Sequence, residues 1–391
     1  MKRVYLDQAA TSFPKGRGVA EAMIKFINEI GTNINRGGYE DAYQTAEIIY
    51  ETRLQLCRLF DLKPFPQSAK NVIFTPNITY ALNFILKGYL EEGDHVLVSS
   101  LEHNSVMRPL VQLSKERNVT FDRIPCTKEG ELQLETIEGL IKKNTKAIIM
   151  THASNVCGTL LPIKEVGELT HRRGLKFIVD SAQTAGTFPI SMTEMHIDAL
   201  AFTGHKGLLG PQGTGGFLVT DCMAEQISPL ITGGTGSISD TEETPEFLPD
   251  KFEAGTMNLP GIMGLHKSLI YLHELGIDTI RMKEMSLTKQ FLEGVSTIEG
   301  VRIIGKKDCQ NRTAVVSIQC DKIDVAVLAY ELDQEFNILT RVGMHCAPNA
   351  HKTLGTFPKG SLRFSFGYEN TLDEIEYTLK AIKHICESHN H

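Results

Sequence analysis

A chain of 391 residues is long for one domain and suits a large domain joined to a smaller one. With 41% hydrophobic and 22% charged residues it is neither a disordered nor a fibrous chain. Its 47 Asp+Glu against 40 Lys+Arg give a net charge of -7 with no basic block, which leaves no electrostatic case for nucleic acid and favours a small-molecule enzyme.

The start, MKRVYLDQAATSFPKG, lacks the apolar core of a signal peptide, and no stretch approaches the roughly 20 apolar residues of a membrane span, so a soluble cytoplasmic protein is expected. The eight cysteines form no C-x-x-C pair, which predicts reduced thiols and no metal centre. Residues 18 to 30 and 41 to 60 carry helical apolar spacing, as in Ala46, Ile49, Tyr50, Leu54 and Cys57. From Val72 short apolar runs alternate with helix-length segments: 72–75, 95–100, 119–124, 146–152, 175–180, 199–204 and 215–220. Such runs, rich in Val, Ile and Phe, predict a mainly parallel seven-stranded sheet between helices.

The irregular stretch 233–257 is too long for a plain connection and reads as functional or mobile. Beyond it helices at 261–275 and 278–297, a strand at 313–320, a helix near 323–335, a strand at 362–366 and a helix at 372–386 predict an α+β unit. The expected division is a large domain, 16–261, and a small C-terminal domain, 262–391, joined by the N-terminal segment 1–15.

Wound sheets bind ligands beyond the carboxyl ends of their strands, and the polar residues there form a set. Asn77, Ile78 and Thr79 open a helix after a strand, which fits either an anion site or a plain N-cap. His103 and Asn155 follow two further strands, and each taken alone reads as a loop residue. Asp180 ends FIVD, where a buried carboxylate needs a cation, a donor or a helix to cap, and Gln183 follows it. Thr203, His205 and Lys206 lie on a glycine-rich loop, where a lysine with an upstream acid and an anion pocket reads as a Schiff-base lysine.

The combination resembles the class V aminotransferase group of pyridoxal-phosphate (PLP) enzymes of fold type I, and within it the cysteine desulfurases with a compact cysteine loop. The likeness runs from LDQAATSFP (6–14) through NRGGYE (35–40), LEHNS, ASNVCG, VDSAQ and FTGHK to FEAGTMNLPGI (252–262), RVGMHCAP (341–348) and LRFSFGYENT (362–371). The resemblance implies that Lys206 forms the internal aldimine with PLP, that Asp180 holds the pyridinium nitrogen protonated, and that Gln183 donates to the ring oxygen. It implies further that His103 stacks on the ring and that Thr79, Thr203 and His205 hold the phosphate, with Thr256 reaching it from the partner of a homodimer. Asn155 and Arg363 correspond to the groups that hold the substrate carboxylate, with Arg36 beside them at the pocket mouth. Cys346 corresponds to the cysteine that takes sulfur from L-cysteine as a persulfide and leaves alanine, with Arg341 and His345 placed to favour its thiolate. The short stretch from Cys346 to Arg363 implies delivery to an acceptor that comes to the enzyme, such as a sulfur-carrier protein; iron–sulfur cluster assembly is one of the pathways this would serve.

Ile78 stands where many relatives carry a second threonine, and Asn35 where compact-loop relatives often have histidine. These departures leave selenocysteine lyase and cysteine sulfinate desulfinase open, and the shared fold leaves open an aminotransferase and a non-catalytic scaffold. A nucleotide-binding module does not stay open, because GLLGPQGTGG has neither G-x-x-x-x-G-K-[ST] nor G-x-G-x-x-G.

Overall fold

The computed structural model describes residues 3–34, 37–238 and 240–389. After β1 (Val4–Tyr5) come α1 (Val19–Lys25), continued by a π-helical turn (Phe26–Ile30), and α2 (Glu40–Leu59). The alternating part follows: β2 (Val72–Thr75), α3 (Ile78–Tyr89), β3 (His95–Ser99), α4 (Asn104–Arg117), β4 (Thr120–Ile124), α5 (Ile137–Leu140), β5 (Thr145–Thr151), α6 (Ile163–Arg173), β6 (Lys176–Asp180), β7 (Ala199–Thr203), β8 (Gly215–Val219) and α7 (Asp221–Gln226). The chain ends with α8 (Leu259–Leu275), α9 (Ile277–Val295), β9 (Val301–Ile304), β10 (Val315–Cys320), α10 (Val325–Phe336), β11 (Ile338–Leu339), β12 (Arg341–Gly343), α11 (Pro348–Thr353), β13 (Ser361–Ser365) and α12 (Leu372–Ser388). None of the helices among the described residues is long and apolar enough to cross a membrane.

Seven strands form the large sheet in the order β2-β8-β7-β6-β5-β3-β4. Successive side chains alternate between two cores: Leu97, Ile148, Phe177, Val179 and Phe202 enter one, while Val96, Val98, Ile149, Ile178 and Ala201 enter the other. Burial on both faces explains why the strands read as unbroken apolar runs, with each buried Leu, Ile or Phe contributing about 1.5–3 kcal/mol. The sheet is parallel from β4 through β7, whereas β8 runs antiparallel to both β7 and β2. The reversal follows from the connection, because residues 204–214 between β7 and β8 hold no helix and a parallel return needs a crossover.

The second sheet, β12-β13-β10-β9, is antiparallel throughout and shares a core with α9, α10 and α12. Helix α8 sends Leu265, Leu269 and Leu272 into the core of the large sheet, as does Ile280 early in α9, whereas Leu287, Phe291 and Val295 belong to the second core. Packing therefore changes hands within α9, later in the chain than the boundary expected at 262. The N-terminal segment spans both parts: Val4 and Leu6 lie in the second core and β1 pairs with β11, while Ser12 N–H donates to the His205 carbonyl at 2.8 Å.

Candidate active site

Strands β2, β3, β5, β6 and β7 point the same way, so the segments that follow them converge on one edge of the sheet. At the end of β2 the Asn77 side chain caps α3, accepting from Tyr80 N–H at 3.2 Å. Its oxygen is spent on that cap, and the N–H groups of Ile78 and Thr79, which have no intrahelical acceptor, remain for an anion. Thr79 is exposed, and Thr203, buried at the end of β7, keeps its hydroxyl 3.5 Å from the Thr214 carbonyl. His205 Nδ1 is buried without a hydrogen-bond partner among the described residues. Burial first, then the charges of Lys206 and Lys15, lower its pKa to about 4, so the ring is neutral. A buried ring nitrogen and open helix N–H groups, both following strands that end on the same edge of the sheet, suit a phosphate.

Asp180 ends β6 at 3% exposure, its Oδ1 accepting from Ala182 N–H at 2.9 Å. Ser105 Oγ donates to its Oδ2 at 3.4 Å and lies 2.9 Å from His103 Nδ1. His103 caps α4 through that same nitrogen, which accepts from Ser105 N–H at 3.0 Å, so its proton sits on Nε2. Burial and the nearby Lys206 lower its pKa to about 4. Ser105 was not singled out from sequence; its signal is its place two residues after His103. Lys206 stands in the connection between β7 and β8, where burial lowers its pKa to about 8 against the opposing pull of Asp180. Burial also raises Asp180. Gln183 directs Nε2 to the Ala9 carbonyl at 3.3 Å, which leaves one amide hydrogen unused.

Arg363 lies in β13 at 2% exposure. Its Nη2 pairs with Asp7 Oδ1 at 2.8 Å and its Nη1 donates to the Asn155 carbonyl at 3.1 Å, while Nε has no partner. Asp7, a further residue missed from sequence, meets Arg363 only through the fold. Cys346 is exposed, in the turn between β12 and α11. Its carbonyl accepts from Asn104 N–H at 2.8 Å, and the preceding His345 carbonyl accepts from Asn155 Nδ2 at 2.7 Å. The expectation that His345 favours the Cys346 thiolate is not met. Its ring is turned inward at 5% exposure, with Nε2 on Ser361, and burial lowers its pKa so far that it carries no charge. Arg341 pairs in register with Arg363 on the neighbouring strand and is exposed.

Thr256 is exposed in a groove with Tyr80, Phe84 and Ile231. Arg36 and Asn35 lie outside the described residues. The remaining sequence-predicted residues at strand ends gather on one edge, and β13 brings Arg363 to Asn155 from the second sheet.

The Aminotransferase class-V family pattern matches residues 4–378. A protein of Methanothermobacter thermautotrophicus named "Probable cysteine desulfurase" is 33% identical over 98% of this chain and 94% of its own length. One of the same name from Pyrococcus abyssi is 31% identical over 98% and 94%. Among solved structures, an apo cysteine desulfurase from Thermococcus onnurineus NA1 superposes with a TM-score of 0.92 at 29% identity, covering 99% of this chain and 95% of the other. The cysteine desulfurase CsdA of Escherichia coli, in an S-sulfonic acid form, gives 0.88 at 26% identity, covering 99% and 95%.

Proposed function

From the premise that the chain belongs to the Aminotransferase class-V family, we propose that it is a PLP-dependent cysteine desulfurase that converts L-cysteine to L-alanine and passes the sulfur to Cys346. The observation that carries the role of Cys346 is the fastening of its turn: an exposed cysteine of the second sheet is tied to Asn104 and Asn155, at the strand ends that carry His103 and approach Asp180.

PLP, when bound, supplies an electron sink that makes the substrate Cα–H acidic and its C–S bond breakable. In this reading Lys206 holds the cofactor covalently and later moves the Cα proton, which suits an amine whose pKa is already lowered to about 8. Asp180 faces the ring nitrogen, where a cationic partner would keep it ionised against its burial. Gln183 would give its spare amide hydrogen to the ring oxygen, and neutral His103 would stack against the ring. Ile78 and Thr79 N–H, the Thr79 and Thr203 hydroxyls and His205 would hold the phosphate. Asn155 and Arg363 hold the substrate carboxylate and so fix the direction of the Cα–H bond. The Cys346 thiolate attacks the substrate sulfur; the S–S bond forms as the C–S bond breaks, the electron pair stays on carbon, and protonation there gives alanine. A second thiol then reduces the persulfide.

The same reading places the enzyme in the cytoplasm as a homodimer in which Thr256 completes the partner's site, counts Arg36 among the substrate-binding groups, and has a sulfur-acceptor protein come to Cys346. The test is to quantify sulfide and alanine together from L-cysteine and a thiol reductant. Native protein should yield equal amounts of both, and Cys346→Ala neither. Full product from the variant would move the reaction away from persulfide chemistry.

A further inference from the structure

The turn that presents Cys346 is left-handed at two successive residues with side chains, φ being +46° at His345 and +55° at Cys346. Such backbone is unfavourable for any residue with a Cβ and persists only where its surroundings fix it. Two donors from the large sheet do so: Asn104 N–H on the Cys346 carbonyl at 2.8 Å, and Asn155 Nδ2 on the His345 carbonyl at 2.7 Å. The first is a backbone group fixed in α4. The second is a side-chain amide, free to change acceptor.

We infer that Asn155 is a positioning residue for the nucleophile: its amide clamps the Cys346 turn at rest, and a substrate carboxylate that draws the amide away unclamps it. The release rests on the proposed function, in which that carboxylate binds at Arg363. Asn155 is already on both sides of the exchange, because its backbone carbonyl takes Arg363 Nη1 at 3.1 Å while its side chain holds the turn. Because Arg363 already touches Asn155 through that carbonyl, a carboxylate that Arg363 binds is brought to the same residue whose amide holds the turn. Being charged, it is the stronger acceptor than the neutral His345 carbonyl. Loss of the clamp lets the strained pair relax, which frees Cys346 to move only when substrate is in place.

The experiment is alkylation of Cys346 by iodoacetamide, followed by peptide mass on the pH plateau, with exposed Cys222 as internal reference. In cofactor-free protein, Asn155→Ala and the isosteric Asn155→Asp, which has no amide hydrogen, should be labelled about 2- to 10-fold faster than native at Cys346, as the loss of one hydrogen bond implies. Cys222 should be unchanged, and neither substitution touches the carbonyl that receives Arg363. Equal rates at Cys346 in all three proteins overturn the clamp. In PLP-loaded native protein, L-alanine, which has a carboxylate but no sulfur, should speed labelling of Cys346 and should not do so in Asn155→Ala. A native protein that makes sulfide and alanine from L-cysteine yet labels Cys346 no faster with L-alanine overturns the release and leaves the proposed activity standing. Failure to make those products overturns the activity, while the cofactor-free labelling still decides the clamp.

Discussion

Lys206 is held where its own charge is unfavourable. The unfolded chain keeps this proton up to the ordinary 10.5, whereas burial makes the folded protein release it from about 8. Below pH 8 the folded state therefore carries a penalty for charging the amine, and the penalty fades between pH 8 and 10.5 as the unfolded chain loses the proton too. Replacing the ammonium by a neutral chain of similar length removes it. Cofactor-free Lys206→Met should be more stable than native protein by about 1–3 kcal/mol at pH 7, an allowance made for the side chain's partial contact with the cleft. The gain should vanish by about pH 10.5. Denaturant melts of both proteins across that range check this, and a gain independent of pH would trace it to packing instead. A site that is costly to keep folded is the expected counterpart of the amine that the proposed reaction requires, one that holds a carbonyl and moves a proton.

At the scale of elements, the Lys206 loop is set by how closely it lies on the loop after β6. A Cβ added at Gly207 would press into the Ala185 carbonyl, and one at Gly186, whose φ is +86°, into the Gly207 carbonyl. Backbone faces backbone here and has no flexible side chain to give way. Gly207→Ala should destabilise the protein by about 1–3 kcal/mol and weaken retention of PLP, read as a lower melting temperature and faster loss of the cofactor on dialysis. Unchanged retention would mean that the loop has slack. The seven strands of the large sheet were legible in the sequence because burial on both faces leaves continuous apolar runs, and Lys206 was legible because its glycines mark a close backbone approach. Direction was not legible: the pattern GGFLV is the same whichever way β8 runs, and its reversal depends on the helix-free connection before it. Strands β9, β11 and β12, of two to four residues, are too short to show a period. Contacts between distant segments also left no local trace. Asp7 meets Arg363 across 356 positions, Ser105 meets Asp180 across 75, and the Asn155 clamp joins segments 190 apart.

Over the whole molecule, buried titratable groups pull stability in opposite directions with pH. Burial lowers seven histidines among the described residues, His103, His205 and His351 to about 4 and His152 to about 3, with His95, His266 and His345 shifted the same way. Below the ordinary 6.5 the unfolded chain binds protons that these rings refuse in the fold, so stability falls as pH drops from 6.5 toward 4. Glu102 and Glu284 act the other way, since burial raises both from 4.5 to about 8. Between those values the folded protein keeps protons that the unfolded chain has lost, so their effect is a fall in stability as pH rises from 4.5 to 8. The sum predicts a maximum for cofactor-free protein near pH 6.5, with a steep acid side set by many rings and a shallower alkaline side set by two carboxyls. Glu102 is fully buried, its carboxyl receiving Ser99 Oγ and Thr151 N–H with no cation beside it among the described residues. A neutral amide in its place should therefore steepen the acid side between pH 4.5 and 6.5, where Glu102 opposes the histidines, and flatten the decline from pH 6.5 to 8. Thermal melts of native protein and Glu102→Gln across pH 4 to 8 decide it: a native curve still rising between pH 6.5 and 7.5, below the range where Lys206 acts, would mean that these carboxyls are ionised in the fold, with partners that burial alone does not supply.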